Sequence, residues 1–121
     1  MQDFRKLRVW QRAQDLAAQI HLATVSSTRV AGGPWRSQVR RASASIAANI
    51  AEGTMKGSPR HFAQFLEISI GSASETESHL DFSIRIGLLT PEEAEPMIQE
   101  VVAIRRMLVA LRRRVLERAS P

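Results

Sequence analysis

Apolar residues recur along this chain at alternating intervals of three and four positions, which is the spacing of one face of an α-helix. The pattern predicts four helices, spanning approximately residues 6–25, 35–54, 59–87 and 91–119. The second and third connections are short, so the second, third and fourth helices should be antiparallel neighbours. The sequence therefore predicts an all-α fold, an antiparallel up-down-up-down four-helix bundle formed by residues 1–121 as one domain.

The ends of the third and fourth helices are marked by residues that favour such positions. Ser58 is a predicted N-cap, and Pro59 follows it at the first helical position. Gly87 is predicted to end the third helix. Thr90 and Glu93 have the spacing of a capping box at the start of the fourth. These boundaries are thus predicted independently of the apolar pattern.

The second helix carries few large side chains. Its outward side holds Ala44, Ala47, Ala48 and Ala51, where a surface helix usually has long charged residues. Alanine is also the best helix former, so a solvated alanine face is one interpretation. The other is a close contact with a second subunit.

The third helix has a second seam beside its main apolar one, made of Phe65, Ile68, Ser72, Glu75, His79, Phe82 and Ile86. Two seams require either two neighbouring helices or one neighbour and a partner subunit. The candidate residues for a subunit interface are Ala44, Ala48, Ala51, Ile68 and Phe82.

Polar residues follow one flank of the second helix at helical spacing. Asn49 and Glu52 lie close enough to the apolar stripe to be partly buried, and Glu75 falls within the second seam of the third helix. We interpret these residues as a structural polar network that fixes helix register, because no second acid or nucleophile is set beside Glu52 by the sequence. The predicted members are Gln38, Arg41, Asn49, Glu52 and Glu75.

Composition removes several classes of function. The chain has no cysteine, so it can form neither a disulfide nor a thiolate zinc site. Glu75 and His79 are one helical turn apart, but two ligands are too few for a metal centre. No nucleotide-binding or hydrolase motif is present, and no apolar run resembles a signal peptide or a membrane span. A non-enzymatic, cytoplasmic protein without cofactor or membrane partner is expected.

The net charge of +5 is unevenly distributed. Residues 62–100 carry eight acidic side chains and one basic, whereas residues 101–121 carry six arginines and one glutamate. One interpretation is an acidic helix packed beside basic ones; the other is a basic surface for polyanions. Guanidinium groups suit phosphate oxygens, and Arg112, Arg113 and Arg114 are expected to be mostly exposed. The nucleic-acid-binding candidates are Arg36, Arg40, Lys56, Arg105, Arg106, Arg112, Arg113 and Arg114.

Three blocks of residues resemble a known family. They are Phe4, Leu7, Val9, Trp10 and Ala13; the stretch QVRRASASIAANIAEG at 38–53; and Phe62, Phe65, Leu66, Gly71, Ser72 and Glu75. The chain resembles the four-helix-bundle proteins encoded in intervening sequences of bacterial 23S ribosomal RNA genes. It is similar, more distantly, to the accessory protein of diversity-generating retroelements. His21 and Leu22 stand where the family usually has an aromatic residue, and the first loop departs from the family's pattern.

The resemblance implies an antiparallel bundle that assembles into a ring, known members being pentamers, without enzyme activity. The retroelement relatives bind nucleic acid and partner a reverse transcriptase. Two hypotheses follow for this chain. The first is a homo-oligomeric bundle that binds RNA or DNA backbones weakly and without sequence preference. The second is an assembly scaffold or adaptor for a protein partner, such as a reverse transcriptase, with no nucleic-acid role.

Overall fold

The computed structural model describes residues 3–26 and 33–119, which form four long helices. A 3₁₀ turn at Phe4–Lys6 comes first. The helices are α1 (Arg8–Ser26), α2 (Gly33–Thr54), α3 (Pro59–Arg85) and α4 (Pro91–Ala119). No strand occurs within the described ranges, so the predicted all-α class is confirmed. Most of the predicted first loop, residues 27–32, lies outside them.

Successive helices run antiparallel. The indole Nε1 of Trp35, at the start of α2, donates to the carbonyl oxygen of His79 near the end of α3 at 2.8 Å. Arg40 Nε, in the first half of α2, donates to Thr24 Oγ1 near the end of α1 at 2.7 Å. α4 packs against both α3 and α1, which places it diagonally across the bundle from α2. The predicted up-down-up-down bundle is therefore confirmed.

The core contains hydroxyl side chains as well as aliphatic ones. On α3, Ser69, Thr76 and Ser83 are fully buried. A buried hydroxyl is costly unless it is hydrogen-bonded, and each of these donates to a backbone carbonyl, Ser69 to that of Ile46 on α2 at 2.9 Å. The small seam residues therefore allow α2 and α3 to approach closely without leaving polar groups unpaired.

α2 and α3 approach each other closely where Gly53 faces two phenylalanines. A Cβ atom at Gly53 would lie 2.8 Å from Phe62 Cδ1 and 2.9 Å from Phe65 Cβ. Real Cβ atoms are not found so close to their neighbours. Glycine is thus required at this position by the separation of the two helices.

The predicted helix ends are confirmed for α3 and α4. The Thr90 backbone N–H donates to Glu93 Oε1 at 2.8 Å, and the Glu93 N–H donates to Thr90 Oγ1 at 3.2 Å. Ser58 caps α3 by accepting from the His61 backbone N–H. Gly87 has φ = +72°, a conformation that favours glycine after a helix.

The starts of the first two helices differ slightly from prediction. α1 begins at Arg8 because Asp3 caps a separate 3₁₀ turn that ends before Leu7. α2 begins at Gly33, ahead of Pro34, because proline is tolerated in the first turn of a helix. Neither shift changes which side chains face the core. Among the described helices, none has both the length and the apolarity needed to cross a membrane.

Candidate functional site

The outward sides of α2 and α3 form a face of small and apolar residues, with Glu75 and His79 lying between the two apolar ends of its α3 side. Ser45 on α2 and Ser72 on α3 are hydrogen-bonded to each other at 2.8 Å. Because the helices are antiparallel, Ala48, three residues beyond Ser45, lies opposite Ile68, four residues before Ser72. We call this region the α2/α3 outer face and define it by Ala44, Ala48, Ala51, Ile68, Gly71, Phe82 and Ile86.

Large apolar side chains remain exposed on this face. Ile68, Phe82 and Ile86 are each about half exposed, at 50%, 49% and 48%, and they lie within about 40° of one another around α3. Ala44 and Ala48 are exposed, and Ala51 is half-buried. The five predicted interface residues are therefore all at least partly accessible, with Phe82 near the start of α2 and Ala51 near its end.

Gly71 lies at the middle of this face without a role inside the chain. It is exposed, and a Cβ atom there would meet nothing within 4 Å. Glycine within a helix is less stable than alanine by roughly 0.5–1 kcal/mol. The single chain therefore offers no packing reason for a glycine here, in contrast to Gly53.

Asn49 is linked to α3 indirectly, through Ser45 on its own helix. Its Nδ2 donates to the backbone carbonyl and to the hydroxyl of Ser45, each at 2.9 Å. Ser45 then contacts Ser72 across the helix pair. This short chain links α2 to α3, which agrees with a role in fixing their register.

The other predicted network members do not join it within one chain. Glu52 was expected to be partly buried, but its side chain is 55% exposed and pairs with Lys56 at 3.2 Å. Glu75 is 59% exposed and pairs with His79 on its own helix. Gln38 and Arg41 are exposed, and no hydrogen bond joins them to the rest in the described part of the chain. The long side chains of Glu52 and Glu75 reach partners one turn along their own helices. The predicted five-residue network therefore does not form within one chain, and only the link from Asn49 through Ser45 to Ser72 remains.

Arg12 and Arg105 each pair with a glutamate on a neighbouring helix. Arg12 on α1 holds Glu100 on α4 through two hydrogen bonds of 2.6 and 2.9 Å. Arg105 on α4 contacts Glu77 on α3 at 2.5 Å. Hydrogen bonding to Arg12 lowers the pKa of Glu100 below its ordinary value, and the same bond raises the pKa of Arg12.

Replacing Glu100 with glutamine tests the Arg12 pair. We expect Glu100→Gln to lower the free energy of unfolding by about 1 kcal/mol at neutral pH, because a partly exposed bidentate pair is lost. Since the folded-state pKa of Glu100 is depressed, its stabilisation is present above the unfolded-state pKa and is lost as pH falls through the folded-state value. The difference from wild type should therefore begin to close near pH 4, about the ordinary pKa of a glutamate, and disappear in stronger acid. Urea unfolding across a pH series measures it; a gap that persists in stronger acid would contradict the assignment, and Glu95→Gln is the control.

The C-terminal half of α4 presents exposed arginines. Arg106, Arg113 and Arg114 are exposed and have no acidic partner among the described residues. Arg106 and Arg113 are seven residues apart and therefore aligned on α4. We call these three residues the basic α4 surface. Arg112 differs from expectation, because it lies against α3, pairs with Glu67 at 3.5 Å and has 37% of its side chain exposed.

The remaining basic candidates lie elsewhere. Arg40 is half-buried and bonded to Thr24. Lys56 pairs with Glu52 and lies 5.3 Å from the ring centre of Phe65. Arg36 is half-buried on α2 and takes part in an interaction of its own. Arg36 and Arg40 are thus separated from the α4 arginines, since α2 and α4 are diagonal in the bundle, whereas Lys56 lies in the turn after α2.

Within residues 3–26 and 33–119, no three histidine, aspartate or glutamate side chains are grouped as metal ligands. The α2/α3 outer face and the basic α4 surface are the surfaces with the clearest chemical character.

Comparison with known proteins places the chain among relatives. The sequence pattern of the 23S rRNA-intervening sequence proteins matches residues 5–110.

The chain belongs to this family. A solved structure with the same fold is a protein of unknown function from the S23 ribosomal protein family of Bacteroides thetaiotaomicron VPI-5482. It is 26% identical, with a TM-score of 0.76, and the match covers 85% of this chain and 96% of that one. No curated protein matches. Neither description names a chemical reaction.

The family match covers the two faces unequally. It includes all of α2 and α3, and hence the whole α2/α3 outer face. On α4 it stops at residue 110, before Arg112, Arg113 and Arg114. The arginine-rich end of this 23S rRNA-intervening sequence protein must therefore be interpreted from its own geometry.

Proposed function

We propose that this family member is a non-enzymatic, homo-oligomeric bundle that binds RNA or DNA backbones weakly through its basic α4 surface. One observation carries the nucleic-acid part. Arg106, Arg113 and Arg114 are exposed without acidic partners among the described residues, whereas Arg12 and Arg105 are held by glutamates. Exposed guanidinium groups favour phosphate oxygens. Without a sequence-reading motif, such binding is led by the backbone.

Self-association is supported by the α2/α3 outer face. Ile68, Phe82 and Ile86 are large apolar side chains left about half exposed on one side of α3, and exposed apolar side chains grouped on one face favour an interaction site. Gly71 and Ala48 would allow another helix to approach closely. The family resemblance favours a pentameric ring. A ring repeats the basic α4 surface on every subunit, so that weak phosphate contacts add through multivalency.

The second candidate function is an assembly scaffold for a protein partner, with a reverse transcriptase as one example. The observation that favours it is the pairing of arginines with the acidic segment, since Arg12, Arg105 and Arg112 all contact glutamates on neighbouring helices. Part of the positive charge then serves packing between helices. In either case we propose a cytoplasmic location, where nucleic acid and a protein partner such as a reverse transcriptase would both be found.

A gel-shift series at increasing salt tests the nucleic-acid proposal. Wild-type protein should bind single- and double-stranded oligonucleotides of unrelated sequence with similar affinity. Its binding should weaken steeply with salt, because counterions are released from each contacted phosphate. The double variant Arg106→Gln with Arg113→Gln should bind more weakly and lower the salt slope by about one unit for each lost contact.

The matched control removes two positive charges away from α4. Lys6→Gln with Arg85→Gln, at two exposed sites away from α4, carries the same change in net charge, and both double variants should keep the melting temperature and scattering mass of the wild type. If the wild type fails to bind at low salt, or both double variants bind as well as it does, the nucleic-acid function is excluded and the scaffold takes its place.

A further inference from the structure

Arg112 is held less completely than the other arginines on its side of α4. Its Nε atom is buried and has no hydrogen-bond partner among the described residues. An N–H group left without an acceptor away from water is unfavourable and is rare in folded proteins. The observed side-chain position therefore leaves one donor of the guanidinium unsatisfied.

Arg105 provides a direct comparison. It lies seven residues before Arg112 on the same side of α4. Its pair with Glu77 is 2.5 Å long, and the two side chains are 27% and 34% exposed. Arg105 also donates to Ser74. The Arg112 pair is 3.5 Å long, and 69% of the Glu67 side chain is exposed.

Such a long and exposed ion pair is weak. A phosphodiester of a nucleic-acid backbone carries one negative charge and two free oxygens, as a carboxylate does, and a strand presents many of them, so it can compete for the same guanidinium. If the side chain of Arg112 turns outward, both Nε and one Nη can donate to two phosphate oxygens. The exchange would satisfy the donor that the unbound chain leaves unpaired.

Space for a phosphate is present beside Arg112. A cleft of about 440 Å³ is lined by Val109, Arg112, Arg113, Leu116 and Glu117. Arg113 adds a second positive charge at the rim, and Val109 is 42% exposed. Two guanidinium groups outnumber the one carboxylate of Glu117 in this lining, and the apolar atoms beside them suit the less polar sugar carbons of a phosphodiester.

We infer that Arg112 exchanges Glu67 for a backbone phosphate of nucleic acid. Glu67 then competes with the phosphate for Arg112, beside the basic α4 surface. The inference rests on the proposed function and extends it to a fourth arginine and to a regulatory acid on α3. Phosphate binding at Arg112 is accompanied by release of Glu67 to solvent. Arg105 stays with Glu77 and does not take part.

Replacing Glu67 with glutamine tests the competition. Glu67→Gln should bind a single-stranded oligonucleotide about two- to fivefold more tightly at low salt, the range that corresponds to an exposed ion pair. Glu95→Gln makes the same change in net charge on an exposed site at the other end of α4 and should leave affinity unchanged. Equal tightening by both variants, or tightening by neither, would overturn the inference.

A titration with inorganic pyrophosphate tests the site without nucleic acid. The ¹⁵N-detected Nε–H resonance of Arg112 should shift on addition of pyrophosphate, that of Arg105 should stay in place, and Arg112→Lys should lose the response. An unmoved Arg112 resonance would overturn the exchange. Binding of the same variant to vesicles containing anionic phospholipid is measured in parallel. If Glu67→Gln binds vesicles more tightly than oligonucleotide, the ligand of the site is phospholipid and the assignment to nucleic acid is wrong.

The outcomes separate this inference from the proposed function. If the oligonucleotide binds wild type and Glu67→Gln equally, the exchange is wrong and nucleic-acid binding stands. If Arg112 responds to pyrophosphate while no oligonucleotide binds either protein, the phosphate site stands and the nucleic-acid function is wrong.

Discussion

Ala48→Arg is expected to convert the assembled protein into single chains that keep their helical content. Ala48 is exposed at the centre of the α2/α3 outer face, opposite Ile68. An arginine there would place a charged, bulky side chain where a partner helix must approach, and burying an unpaired charge is strongly unfavourable. Multi-angle light scattering at micromolar concentration measures the effect, and circular dichroism measures the helix content.

Ala18→Arg is the matched control for this variant. Ala18 is exposed on α1, outside the α2/α3 outer face, so the same substitution there should leave the scattering mass unchanged. A wild-type protein that is already a single chain at micromolar concentration would contradict self-association. An assembled Ala48→Arg variant would instead move the interface away from this face.

Features that depend on neighbours along the chain could be predicted from the sequence. The apolar period predicted the four helices, and the three-residue spacing of Thr90 and Glu93 predicted a capping box that the structure confirms. Both signals are local, because they depend only on the geometry of one helix. The turns before α3 and α4 could be predicted for the same reason.

Features that depend on the register between helices could not. Arg12 and Glu100 are 88 residues apart, and nothing in either helix alone indicates that they meet. Arg112 was expected to be mostly exposed, yet α3 covers part of it and supplies Glu67. Position around a helix was also a poor guide to the burial of Glu52, because a long side chain can turn away from the apolar stripe toward solvent and Lys56.

The two mid-helix glycines offer a contrast that the sequence alone could not provide. Each lies within a long helix and each belongs to a block that resembles the family. At Gly53 an added Cβ atom would collide with Phe62 and Phe65, whereas at Gly71 it would meet nothing within 4 Å. One glycine is therefore explained by packing inside the chain, whereas no contact within the described part of the chain explains the other.

Gly53→Ala should accordingly destabilise the bundle by about 1–3 kcal/mol, the usual effect of forcing atoms into a well-packed interior. The ring of Phe62 can turn to make room, but the Cβ atom of Phe65 can move away only if the α3 backbone moves with it.

Gly71→Ala should have the opposite effect and stabilise the single chain by roughly 0.5–1 kcal/mol, because alanine is the better helix former. Both substitutions are best made together with Ala48→Arg, so that unfolding is measured on single chains. Thermal and urea unfolding give the comparison. If the two glycines respond with the same sign, the close approach of α2 and α3 at Gly53 is not the reason for glycine there; opposite signs would support close packing at Gly53 and a free surface at Gly71 that a second subunit can cover.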